Sequence, residues 1–233
     1  MSDTVIPART VPVLSLGSWL ARYWFAVFTL VYGSWVLLPF LAPVFMNIGW
    51  SGAGRAIYLL YSFFCHQLPQ RSIFLFGQQP MYSLSQIQAA WQDTANPVIL
   101  RRFIGNAAMG WKIAWSDRMI WFYTGVWLFG LAWWPLRKKI KPVSWWGFAV
   151  LLLPIIVDGA AHFASDLAGI GQGFRDSNLW LAALTGRLLP ADFYAGDALG
   201  SFNSWMRLLT GLLAGLGIIW FAMPQVEASV GSN

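Results

Sequence analysis

Long apolar runs alternate with two polar stretches along this chain. The first run, 19–46 (WLARYWFAVFTLVYGSWVLLPFLAPVFM), exceeds the roughly 20 mostly apolar residues that a membrane-spanning helix requires. Pro39 and Pro43 are expected to kink or end it. Further runs cover 119–136, 143–163 and 205–223. Residues 55–77 (RAIYLLYSFFCHQLPQRSIFLFG) read differently. Their apolar run before Cys65 is only about ten residues, too short to span. Pro69 then removes a backbone donor and biases Leu68 away from helix. This predicts an interfacial or re-entrant helix broken near residues 66–69, whose freed backbone groups must be buried in protein or face water. The polar stretches 78–116 and 165–201 are expected as extramembrane loops, the first holding a short amphipathic helix at 83–91. The predicted fold is therefore all-α: a polytopic membrane bundle of four transmembrane helices plus one broken interfacial helix, forming a single integral membrane domain over 1–233.

Composition strengthens this reading. Charged residues make up 10% and hydrophobic residues 58% of the 233, against about 25% and 45–50% in soluble domains. The mean hydropathy is +0.55. A water-covered globule of this size would lack polar surface. Disordered, collagenous and disulfide-scaffold classes fail too, because apolar side chains dominate and Cys65 is the single cysteine. The formal charge of +6 does not point to nucleic acid, since the basic residues punctuate hydrophobic runs instead of lining a polar face with stacking aromatics. Sixteen Trp and 17 Phe suit long membrane interfaces.

Those basic residues set an orientation. The tight turn with Arg137, Lys138, Lys139 and Lys141 belongs in the cytoplasm by the positive-inside rule. With four spans, the N-terminus with Arg9 and Arg22 and the C-terminus are then cytoplasmic, and both polar stretches lie outside. The opening residues are polar and proline-dotted, so no cleavable secretory signal is expected. The implied setting is the plasma membrane, with lipids and other membrane-protein subunits as partners and no nucleic acid.

Asp158 is the most conspicuous residue, sitting inside LLLPIIVDGAAHF. A carboxylate in a membrane helix costs about 2.5–3.5 kcal/mol on insertion scales, so it should find a partner or water. His162, four residues on, shares its helical face. The pair reads either as a metal- or proton-handling site or as a hydrogen-bonded lock between helices. Cys65 and His66 lie at the helix break. With Asp158 and His162 they would offer sulfur, nitrogen and oxygen ligands compatible with zinc, although no strong metal spacing occurs. The plainer alternative is a buried apolar Cys65 and an interfacial His66. In the four-span topology Cys65, His66, Arg71, Asp117, Arg118, Asp158, Asn203 and Arg207 converge near the outer boundary. They read as a polar pocket for an anionic headgroup or phosphate, which forked guanidinium donors suit, or as arginines snorkelling at helix ends. Gly211, Gly215 and Gly217 form a close-packing helix face.

CHQLPQRS (65–72) resembles the Cys-His-Arg-x-Pro-x-Arg-Ser signature of an uncharacterised bacterial and archaeal integral membrane protein family, a domain of unknown function. SDRMIWFYTG (116–125) is similar to that family's Cys-x-Arg-x-x-x-x-Tyr-x-Gly segment; Pro154, Asp158 and Gly159 follow, then Asn203, Arg207, Thr210 and Gly211. The likeness runs over roughly 19–223. Gln67 replaces the usual Arg, the second segment lacks its cysteine, and His162 stands where Gln is expected. The resemblance implies a fold and a motif set, with no activity attached. Three functions follow as expectations. The first is an accessory or headgroup-binding membrane subunit. The second is a metal-dependent hydrolase or transferase using Cys65, His66, Asp158 and His162. The third is a haem or pigment protein ligated by His66 and His162.

Overall fold

A computed structural model describes residues 16–231. Arg9, one of the two basic residues expected to hold the N-terminus inside, lies outside them. The first helix, α1 (Leu16–Asn47), runs through Pro39 and Pro43, both buried, without ending at either. Gly49, at φ 86°, turns the chain into α2 (Ser51–Tyr61). That helix folds back on α1 so closely that a Cβ on Gly54 would lie 2.8 Å from the Met46 sulfur and 3.1 Å from the Ala42 carbonyl.

The segment 55–77 is not one broken helix. Helix ends at Tyr61, and Gln67 takes a left-handed backbone at φ 53°. Pro69 opens a single 3₁₀ turn, Pro69–Arg71, because its fixed φ suits a helical first position while Leu68 before it is extended. Strand β1 (Ser72–Leu75) follows. It pairs antiparallel with β3 (Gly110–Ser116), which also carries the short β2 (Gly105–Asn106), in the order β1-β3-β2. Ser72 faces Ser116 and Phe74 faces Lys112. The chain remains mostly helical as expected, and this small sheet replaces part of the loop expected at 78–116. β3 is buried along most of its length, so it lacks the apolar–polar alternation that marks a half-exposed strand. Trp115 anchors it, ringed by Tyr61 at 4.7 Å, Tyr123 at 4.9 Å and Trp35 at 5.6 Å. Within the same stretch α3 (Leu84–Ala90) forms at the expected amphipathic helix, held by a Ser83–Gln86 capping box, and α4 (Pro97–Leu100) starts from Asn96.

The rest is helical. α5 (Asp117–Leu136) leads directly out of β3. α6 (Trp145–Asp166) starts at Ser144, whose hydroxyl accepts the Gly147 N–H. Short helices α7 (Phe174–Ser177), α8 (Leu179–Leu184) and α9 (Ala191–Tyr194) fill the second polar stretch, and α10 (Phe202–Gly231) closes the bundle. Gly211 and Gly215 seat α10 on α5, where a Cβ would meet the Phe122 and Val126 backbone nitrogens at 3.1 and 2.9 Å, while Gly217 faces Leu151 of α6. The described chain is thus mostly helical, and α1, α6 and α10 are long and apolar enough to cross a membrane. α5, the remaining expected span, has 20 residues, about 30 Å at 1.5 Å per residue.

Candidate functional site

One end of the bundle collects the starts of α5 and α10, the finish of α6, the 62–71 break and the 165–201 segment. Proline, caps and apolar runs place the elements; buried ions join them. Arg207, only 2% exposed, donates from Nε to Asp117 at 2.7 Å and from Nη1 to Asp197 at 2.6 Å. The other Asp197 oxygen accepts from Arg71 Nε at 2.8 Å, and Arg71 grips Asp166 with both terminal nitrogens at 2.7 Å. Asp158 is held on both oxygens, by Arg118 Nη2 at 2.8 Å and Arg175 Nη2 at 2.7 Å. The two halves meet at Asp117, which accepts the backbone N–H of Arg118. Four arginines thus alternate with four aspartates.

Such pairs are worth little or nothing over apolar packing, yet losing one partner costs about 3–5 kcal/mol, because the survivor stays buried and uncompensated. The electrostatics outside the long helices follow the same logic. Burial alone would raise the Asp197 carboxyl, but the guanidinium groups of Arg207 and Arg71 outweigh it and hold it below the usual carboxylate range. Burial pushes Arg71 down, and its two carboxylates more than reverse this.

A cavity of about 810 Å³ opens beside the network. Its lining combines the polar side chains of Cys65, His66, Arg71, Asp117, Arg118, His162 and Arg207 with the apolar ones of Phe63, Phe64, Phe163 and Leu167. The Cys65 thiol donates toward Ser116 Oγ at 3.4 Å, and its sulfur accepts the backbone N–H groups of Ser116 and Gln67 at 3.3 and 3.4 Å. His66 is exposed at this cavity. Asp158 and Asn203 lie behind the lining. Asn203 accepts from Arg175 Nε at 3.1 Å and donates to the carbonyls of Arg175 and Gly196.

The zinc set named from sequence is not assembled. Asp158 has both oxygens bound by cations, and its Oδ1 lies 4.0 Å from His162 Nε2. Two guanidinium groups at that carboxylate would repel a divalent ion. Among the described residues no three His, Cys, Asp or Glu side chains are grouped to hold one. The haem reading meets a related obstacle: His162 Nε2 is turned to Arg175, 3.2 Å away.

Sequence reasoning missed Asp166, Arg175 and Asp197, all in or beside a stretch read as loop. One signal was available: Arg71 and Arg207 need buried counter-ions, and the chain has just nine acidic residues. It also missed Lys112, wholly buried in β3, whose Nζ donates to the Gln67 and Arg101 carbonyls at 2.6 and 2.8 Å.

No family model matches the chain. An uncharacterized protein of Methanocaldococcus jannaschii is 29% identical over 145 residues, which cover 59% of this chain and 69% of the archaeal one. No solved structure matches it.

Proposed function

We propose that this is an integral plasma-membrane protein of four spans (α1, α5, α6 and α10) whose non-cytoplasmic face receives an amphiphile with an anionic head. The carrying observation is the 810 Å³ cavity whose lining combines guanidinium groups with exposed aromatic side chains. Phe63 and Phe163 are 79% and 68% exposed there. Water alone would not favour those rings, whereas an acyl chain would, and the arginines suit a phosphate or carboxylate. The 20 residues of α5 lie between this end and the basic turn 137–141, which supports an outer pocket and an inner turn on opposite sides of the bilayer. The ordered motifs at 65–72, 116–125, 154–159 and 203–211 support placing the chain in the membrane family with the Cys-His-Arg-x-Pro-x-Arg-Ser signature.

The test is lipid retention. Protein purified in a mild maltoside detergent should carry anionic phospholipid, enriched over its share of the source membrane, on quantitation by mass spectrometry. A Phe63→Ser/Phe163→Ser double variant, altered only at exposed positions, should lose most of it. Absence of enrichment in the parent protein refutes the pocket.

A subunit role in a larger membrane assembly is the second reading. α6 favours it by leaving Trp145, Trp146, Val150, Ile156 and Val157 uncovered on its outer side. The mass of the particle in native nanodiscs decides between lone and assembled chains.

A further inference from the structure

Two side chains at the cavity, His162 and Arg118, carry N–H groups with no acceptor among the described residues, and together they define what should fill it. His162 lines the cavity and is 4% exposed. Its Nε2 lies 3.2 Å from Arg175 Nη2. A guanidinium cannot accept a hydrogen bond, so Nε2 must be the acceptor. The ring is then neutral with its proton on Nδ1. Asp158 Oδ1, at 4.0 Å, is too far from Nε2 to reverse this by taking a proton from it. Nδ1 is itself buried and has no partner among the described residues. A fixed N–H in this position is costly unless something accepts from it.

Arg118 is the second donor. Its Nη2 binds Asp158, and no other hydrogen bond from its guanidinium is found among the described residues. The group lines the cavity with its side chain 15% exposed. Gly159 makes room for it, since a Cβ there would lie 2.9 Å from Arg118 Nη1.

Charge then narrows the class of ligand. Arg71, Arg118, Arg175 and Arg207 are matched one for one by Asp117, Asp158, Asp166 and Asp197. Arg101 is left over at the same cavity, its side chain bonded among the described residues only to the carbonyl of Ser62. The fitting ligand therefore presents acceptors to these two side chains and carries one net negative charge. We propose that Arg118 and His162 form the seat of a phosphodiester monoanion belonging to an amphiphile. Its non-bridging oxygens accept from the free edge of Arg118 and from His162 Nδ1, and its apolar arms lie along Phe63 and Phe163. This seat rests on the pocket reading above and specifies its ligand.

The test uses the full chain in maltoside with ¹⁵N-labelled histidine. The two histidines are told apart by a His66→Gln variant. The free protein should show His162 protonated at Nδ1, and dihexanoyl phosphatidylglycerol should shift that proton. Calorimetric affinity for the same lipid should fall at least tenfold in His162→Leu and in Gly159→Ala, and stay within threefold in His162→Gln, whose amide can both donate and accept. Dihexanoylglycerol, which lacks the phosphate, should bind at least tenfold more weakly, and inorganic phosphate likewise. A proton found on Nε2, an unmoved Nδ1 resonance on saturation, or parental affinity in both His162→Leu and Gly159→Ala overturns the seat while leaving the pocket standing. Equal affinity for inorganic phosphate overturns the amphiphile as the source of the anion. No binding of any of these ligands to the parent protein defeats both readings together.

Discussion

Lys112 is where a single residue most affects this fold. Among the described residues its ammonium has no carboxylate partner, only the carbonyls of Gln67 and Arg101, and so ties the 62–71 break to the end of α4. Its own carbonyl accepts the Tyr58 hydroxyl. Burial pushes the Lys112 ammonium down to about 7; Cys65 pulls it up, and Arg101 lowers it further. The unfolded chain takes up this proton near the ordinary lysine value, the folded one only near 7. Between those two values the unfolded state binds more protons, so stability rises with pH, by at most about 1.4 kcal/mol per unit. Melting temperatures in detergent from pH 7.5 to 9.5 should climb in the parent protein and climb less in Lys112→Met. Parallel curves would remove this role. Nothing in the sequence near Lys112 marks it, because its partners are backbone atoms 45 and 11 residues away. Arg71 and Arg207 were legible for the opposite reason: a cation at the edge of an apolar run needs a counter-charge wherever the chain ends up.

At the scale of elements, the seam between α5 and α10 depends on absent side chains. A Cβ on Gly215 would lie 2.9 Å from the Val126 nitrogen and 3.0 Å from the Gly125 carbonyl carbon. Backbone cannot give way there without parting the helices. Gly215→Leu should lower stability by at least about 1–3 kcal/mol, the usual range for overpacking. Gly52→Ala in α2, where nothing lies within 4 Å, should be neutral or slightly stabilising. Thermal melts of the two variants make the comparison, and an unaffected Gly215→Leu would show that the seam is looser than drawn. The glycine face and the Pro69 break were both readable, since each acts through its own backbone. Strand β3 was not. GWKIAWS sits between polar flanks and is buried by α1 and β1, so its strand character comes from partners distant in the chain.

For the whole molecule, sidedness decides which compartment the pocket faces. α1, α6 and α10 qualify as spans by length and composition, and α5 as the fourth puts the basic turn 137–141 and the ion network on opposite sides. In a Cys65→Ser background, Gln92→Cys should react with a membrane-impermeant maleimide added to intact cells, and Lys139→Cys only after permeabilisation. The reverse pattern inverts the protein. Equal labelling of both before permeabilisation shows that α5 does not cross, and the pocket would then lie on the same side as the basic turn.

The positions of the long helices, the break at Pro69 and the grouping of polar residues toward one end were determined by the sequence itself, because apolar transfer and proline sterics act on each segment separately. Tertiary structure alone decided which acid answers which base. Asp197 meets Arg71 across 126 residues, and Arg207 meets Asp117 across 90. Coulomb attraction depends on distance in space and on the water excluded around the pair, and neither quantity exists until separate segments have packed together.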